Sequence, residues 1–185
     1  DEQITNFYIY DKDERDLAPV DNRSYMYAGG GYLSTAVDLA KMGNELIKNS
    51  YLKQDSKEEL FSTHFLNNNK PTFYGLGWEV GKNRLGKKVV FHSGNLSSAR
   101  SHLVIFPEDS LVLAYLSNTG DQVFFNDREA QAITELFLNA GNVEEITGKW
   151  EIQTTSLRDK KSTGEILLYS NEEGVVKGHI TFKRS

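Results

Sequence analysis

Val89-Val90-Phe91-His92-Ser93-Gly94-Asn95 is the stretch on which the reading of this chain turns. An apolar run of strand type leads into a titratable ring, a hydroxyl and a glycine, and a small polar loop is expected to follow. An imidazole donates hydrogen bonds or shares a proton near neutral pH. A serine hydroxyl can hold a carboxylate, and a glycine without a side chain lets an extended molecule lie along the strand. Taken alone, a His-Ser-Gly triplet is more often a polar strand end and turn than half of an acyl-transfer site. Its neighbours decide between the two.

Around that stretch the apolar period is two. Phe73 to Val80 reads as a strand, Gly81 to Gly86 as a turn, and Lys87 to His92 as the antiparallel return. Ser101 to Phe106 and Leu111 to Ser117 add two strands across the tight turn Pro107-Glu108-Asp109. The unbroken apolar character of Leu111 to Ser117 predicts burial on both faces. Upstream, Thr35-x-x-Asp38 fits a capping box, and Leu39, Met42, Leu46 and Ile47 fall at i, i+3, i+7 and i+8 as one helical stripe. A weaker helix is expected from Gln54 to Phe65, broken by Asn67 to Pro71. The N-terminal part reads as a short strand around Phe7 to Tyr10, an irregular charged loop from Asp11 to Asp16, and a flexible hinge at Ala28-Gly29-Gly30-Gly31. A closing helix is expected from about Asn126 to Asn139, with Ala130, Ile133, Phe137 and Leu138 on its apolar face and Ala140-Gly141 at its end. The expected class is α+β, an antiparallel sheet with flanking helices.

Composition narrows the chemistry. A chain of 185 residues, 38% hydrophobic and 25% charged, has an ordinary globular composition and can bury one sizeable core. The net charge of −5 and the lack of a basic cluster argue against nucleic acid as a partner. No apolar run is long enough for a membrane span. The absence of cysteine excludes disulfides, thiolate zinc sites and a cysteine nucleophile. His64, His92, His102 and His179 show no metal-ligand spacing, so neither a metal nor another cofactor is expected. The start at Asp1 reads as that of a fragment or processed product.

Five pieces then occur in one order: Ala28-Gly-Gly-Gly-Tyr-Leu-Ser-Thr-Ala-Val-Asp38 running on to Leu46, Tyr74-Gly-Leu-Gly-Trp78, His92-Ser-Gly94, Phe106-Pro-Glu108 and Leu116-Ser-Asn118. Together they resemble the C-terminal part of the serine β-lactamase-like, penicillin-binding family, which includes class C β-lactamases, D-alanyl-D-alanine carboxypeptidases and related esterases. The resemblance covers about Phe7 to Gly141. It implies the C-terminal part of a β-lactamase/transpeptidase-like fold over 1–142, with 143–185 as a short β appendage. That family works with a Ser-x-x-Lys nucleophile and base, a Tyr-x-Asn, and a Lys/His-x-Gly strand. Only the third is matched in place. By that match His92 is the catalytic residue, entering the Tyr–Ser network of proton transfer. Ser93 and Gly94 bind substrate, and the Asn95 backbone N–H lends one donor to the oxyanion hole. The implied substrate is a small molecule or peptide with a carboxylate, and the implied compartment is periplasmic or extracellular.

Two look-alikes are set aside. Ser50-Tyr51-Leu52-Lys53 spells Ser-x-x-Lys, yet its serine ends a helix, whereas the nucleophile motif needs it at a helix N-terminus with the lysine one turn on. Tyr169-Ser170-Asn171 comes after the third motif and runs into the turn signal Glu172-Glu173-Gly174. The tail reads as three strands, Thr147 to Ile152, Gly164 to Tyr169 and Val175 to Phe182. They suit either a small sheet packed on the main body or a truncated lipocalin-like module, being too few to close a barrel. Two function classes follow: part of a serine hydrolase, with no catalysis expected from this chain alone, or a scaffold or binding module that keeps the fold without the chemistry. The resemblance implies that Leu111 to Ser117 pairs on its far side with a strand from the N-terminal part of the family's fold, so here it is expected to be an open edge, covered by the tail strands or by the same strand of a second copy in a homodimer.

Overall fold

The structure is a computed structural model and describes residues 4–11, 14–19, 22, 24–48, 51–119, 127–138, 147–155, 161–170 and 176–183. Its class is α+β with every sheet antiparallel. The chain divides into two compact units, Asp1–Thr134 and Glu135–Ser185.

In the first unit a four-stranded meander runs in sequence order: β3 (Glu79–Lys82), β4 (Lys88–Leu96), β5 (Ala99–Phe106) and β6 (Leu111–Ser117). Register fixes the faces. Val90 lies opposite Ile105 and His92 opposite Leu103, while Leu103 and Ile105 face Ala114 and Val112 on β6. One face therefore carries Val90, Leu103 and Ile105, which bury with Phe61 against Leu39, Leu46, Ile47, Leu60, Trp78, Val112 and Ala114. Burying each of the larger of these contributes about 1.5–3 kcal/mol. The opposite face buries Val89, Val104, Phe106 and His102.

Helix α2 (Ala36–Lys48) lies on the core face against β5 and β6. The expected cap is present: Thr35 Oγ1 accepts the Asp38 N–H at 3.0 Å and its hydroxyl donates to Asp38 Oδ2 at 2.9 Å, worth about 1 kcal/mol. The stripe differs by one position. Met42 is 45% exposed, and the buried residue is Gly43, where a methyl group would stand 2.7 Å from Val112 Cγ1. A bare Cα lets the helix backbone approach the sheet, which no apolar count registers.

Other boundaries also moved. Helix α3 covers Gln54–Leu60 and stops short of Phe65, because Phe61 turns into the core and the Leu60 carbonyl is taken by the Leu76 N–H at 3.1 Å. The charged segment read as loop is half of a hairpin, β1 (Tyr8–Asp11) with β2 (Glu14–Leu17), and Arg15 stacks 4.6 Å over the Tyr8 ring. The supposed glycine hinge continues from a 3-10 turn at Ser24–Met26 as the one-turn helix α1, Tyr27–Gly30. Strand β6 is half-buried along most of its length rather than buried on both faces, as befits the last strand of a sheet. Beyond its end the parallel bridge Tyr8↔Thr119 brings in the first hairpin.

Helix α4 (Asp127–Leu138) was expected from about Asn126 to Asn139. Its outermost expected residues and the Ala140-Gly141 cap lie outside the described residues. In the second unit β7 (Gly148–Thr155), β8 (Lys161–Ser170) and β9 (Val176–Lys183) form a sheet of their own, each longer at one or both ends than the sequence suggested. Among the described residues they pair with one another. On β8 Gly164, Ile166 and Leu168 are buried while Leu167 and Tyr169 are exposed, a clean period of two.

Candidate active site

The expected end of strand β4 at His92 is four residues too early. The β4–β5 ladder continues through Ser93↔His102, Gly94↔Ser101, Asn95↔Arg100 and Leu96↔Ala99. Arg100 fastens that end, its guanidinium donating to the Leu96 carbonyl and to the Ala99 carbonyl at 3.1 Å. The triplet therefore lies within a strand, and no loop follows it directly. β3 pairs with β4 only as far as Glu79↔Phe91. Among the described residues no strand pairs with His92–Leu96 on the side β3 vacates. Alternate N–H and C=O groups along this edge are thus presented outward, able to hold an extended chain.

Strand alternation separates the predicted side chains. His92 and Gly94 stand on the face of the core cluster, Ser93 and Asn95 on the other. Only at the open edge can one ligand meet both. On the first face the Tyr74 hydroxyl lies 2.9 Å from His92 Nε2, with the rings edge-to-face at 6.2 Å. Tyr74 was not among the expected site residues, because Phe73–Val80 reads as one strand. In the structure only Glu79 onward is strand, and 73–78 is a tightly held loop. Phe73 has φ 56° and Gly77 φ 82°. A bulky residue in the left-handed region costs about 1–3 kcal/mol and persists only where its surroundings enforce it. Here Val80 N–H donates to the Phe73 carbonyl at 2.9 Å, the Tyr74 N–H donates to Thr72 Oγ1 at 3.2 Å, and the Thr72 hydroxyl lies within 3.0 Å of the Tyr74 carbonyl. Gly75 passes so close to α3 that a Cβ would stand 2.2 Å from the Leu60 oxygen. The sequence signal was available: two glycines inside a supposed strand are more often a bend.

Gly94 also has a neighbour, since a Cβ there would meet Ser101 Oγ at 2.3 Å. On the other face Ser93 lies across from His102, which is 4% exposed and holds Asp127, the first residue of α4, through Nδ1 at 3.0 Å from Oδ1. Glu79, at the corner where β3 leaves β4, has its carboxyl pKa raised by burial and then by the neighbouring Asp127 charge, with His92 pulling the other way. The ionisable groups Tyr74, His92, Glu79, Asp127 and His102 thus surround one strand. No group of three potential metal-ligating side chains converges among the described residues.

Of the two look-alikes, Ser50 lies outside the described residues. Its partner Lys53 is an exposed N-cap residue in extended conformation ahead of α3, and so does not sit one turn inside a helix. Tyr169 and Ser170 end β8 in the second unit, and Asn171 lies outside the described residues.

The profile of the Beta-lactamase family matches residues 1–136. The chain belongs to that family. The human and mouse mitochondrial serine beta-lactamase-like protein LACTB are each 30% identical to it over an alignment of 129 residues, with 56% of this chain and 24% and 23% of theirs covered. The octameric penicillin-binding protein homologue from Pyrococcus abyssi superposes with a TM-score of 0.59 at 17% identity, covering 100% of this chain and 51% of that one. The latter likeness shows a common fold. The chain spans about a quarter of the length of those curated relatives and half that of the solved homologue.

Proposed function

We propose that this chain builds the strand side of an acyl-transfer site in a serine hydrolase of the penicillin-recognising type, acting on a small molecule or peptide with a carboxylate. The observation that carries the reading is an imidazole held by a phenol 2.9 Å away, beside an unpaired strand edge. In this reading the substrate lies along His92–Leu96 as an added strand. Ser93 hydrogen-bonds its carboxylate, Gly94 leaves its path clear, and the Asn95 N–H faces the developing oxyanion. His92 supports proton transfer at the leaving group. The attacking serine comes from the part of the family domain that these 185 residues do not span, consistent with coverage of 51% of the solved homologue.

The test uses the full-length protein carrying this sequence, assayed with a chromogenic β-lactam and with p-nitrophenyl esters. His92→Ala and Ser93→Ala should each lower kcat/KM by about 10²-fold or more. Wild-type rates in both variants overturn the assignment. A full-length protein that binds these compounds without turning them over is instead a binding module.

A further inference from the structure

The Tyr74–His92 pair holds information that the motif does not. We propose that Tyr74 is a positioning residue for His92: its hydroxyl donates to Nε2, so that the ring proton resides on Nδ1, and Nδ1–H is the group offered to substrate. The inference rests on the hydrolase reading only in its last clause. Its first part concerns the resting protein.

Three observations carry it. The oxygen–nitrogen separation of 2.9 Å is a full hydrogen bond, and Nε2 is the ring atom it engages. Between a phenol and a neutral imidazole, the phenol O–H is the better donor and the unprotonated ring nitrogen the better acceptor. The bond therefore sets the tautomer, with the proton on the other nitrogen. Second, among the described residues no hydrogen bond to protein is made by Nδ1, and the ring is exposed. Third, Tyr74 is built in rather than draped over. The preceding residue is a phenylalanine in the left-handed region and the following one a glycine pressed onto the Leu60 carbonyl. Thr72 Oγ1 bonds the Tyr74 backbone on both sides, and the bridge Tyr74↔Glu79 ties the loop to the start of β3. A hydrophobic anchor would not require this, because the Tyr74 ring remains 38% exposed.

Free histidine prefers its proton on Nε2, so Tyr74 inverts the intrinsic preference and removes one rotational state of the ring. A substrate oxygen arriving at the β4 edge then meets a donor already formed and oriented. Losing the hydroxyl should impair the chemical step more than binding, since ring contact with Tyr74 survives in phenylalanine while the bias on the proton does not.

The experiment is long-range proton–nitrogen NMR on the nitrogen-15-labelled chain, at a pH where the His92 ring is neutral. In the unmodified chain His92 should show a protonated, pyrrole-type Nδ1 and an unprotonated Nε2. In Tyr74→Phe the proton should move largely to Nε2, while the signals of His102, held by Asp127, stay unchanged and certify the fold. A proton on Nε2 in the unmodified chain, or an unaltered His92 pattern in Tyr74→Phe, overturns the proposal. In the full-length protein Tyr74→Phe should lower kcat about tenfold or more, no further than His92→Ala, with KM within about twofold. An equal loss spread into KM alone overturns the catalytic clause. If the tautomer shifts as expected but His92→Ala is fully active, the hydrolase reading fails and the positioning role stands.

Discussion

Gly43→Ala tests the packing of α2 on the sheet, because two opposing effects meet there and the structure says which one prevails. In a helix interior alanine is favoured over glycine by about 1 kcal/mol. The new methyl group, however, would stand 2.7 Å from Val112 Cγ1 and 3.3 Å from Cγ2. Valine is stiff about χ1, so the helix must move, and such overpacking costs about 1–3 kcal/mol. The net expectation is a loss of about 1 kcal/mol. Val112→Ala alone removes two methyl groups from a half-buried site, for about 1–1.5 kcal/mol at ~0.8 kcal/mol per group. In that background the next neighbour is Leu103 Cδ1 at 3.4 Å, an ordinary contact. Gly43→Ala should then stabilise by about 0.5–1 kcal/mol, a coupling near 2 kcal/mol. Urea unfolding followed by Trp78 fluorescence reads the core cluster, with Trp150→Phe in all four proteins to silence the other of the chain's two tryptophans. If Gly43→Ala has the same sign in both backgrounds, the close approach of helix and sheet is wrong.

Two further outcomes follow from the sheet. Glu79 has its pKa raised in the fold, so its contribution to stability is complete below the ordinary value of 4.5 and is lost as pH rises through the folded value. Glu79→Gln should therefore flatten the decline in urea midpoint as pH rises above that ordinary value, and an unchanged profile refutes the assigned cause. Among the described residues the tail strands pair with one another, and Leu111–Ser117 should either exchange its outward amides rapidly or gain protection by pairing with a second copy. Light scattering separates the two. A monomer with slow exchange along both sides of β6 would show that the edge is covered in some other way.

The hairpins of the four-stranded meander were legible in the sequence because each depends on local alternation and nearby turn residues, whereas the charged second strand of the β1–β2 hairpin was not. β4, β5 and β6 appear close to where Val89, Ser101 and Leu111 place them, and Thr35 caps the helix it was expected to cap. Most of what else failed was non-local. Met42 has the right polarity for the helical stripe, yet the sheet wants Gly43, for a reason that resides in Val112. Phe73 to Trp78 alternates like a strand, but Gly75 and Gly77 bend it into a loop whose purpose becomes visible only opposite His92, 18 positions on. His102 was set aside as lacking metal spacing, and its partner Asp127 is 25 positions away. Composition of a segment says little about such pairings, since register and helix placement create them.

The meander has one more consequence, and it concerns time. Each of its strands pairs with its neighbour in sequence, across turns of a few residues. Closing such loops costs little entropy, and folds dominated by local contacts form fast. The packing of Gly43 against Val112, by contrast, must close a long stretch of chain. β4 would thus be zipped to β5 while helix α2 was still searching for the sheet, with the His92–Leu96 edge bare throughout. A bare edge on a newly made chain invites the wrong strand. The imidazole, hydroxyl and amide that His92, Ser93 and Asn95 set along it make that edge a poor template for apolar strands, so the residues proposed for chemistry would also disfavour wrong pairing during assembly.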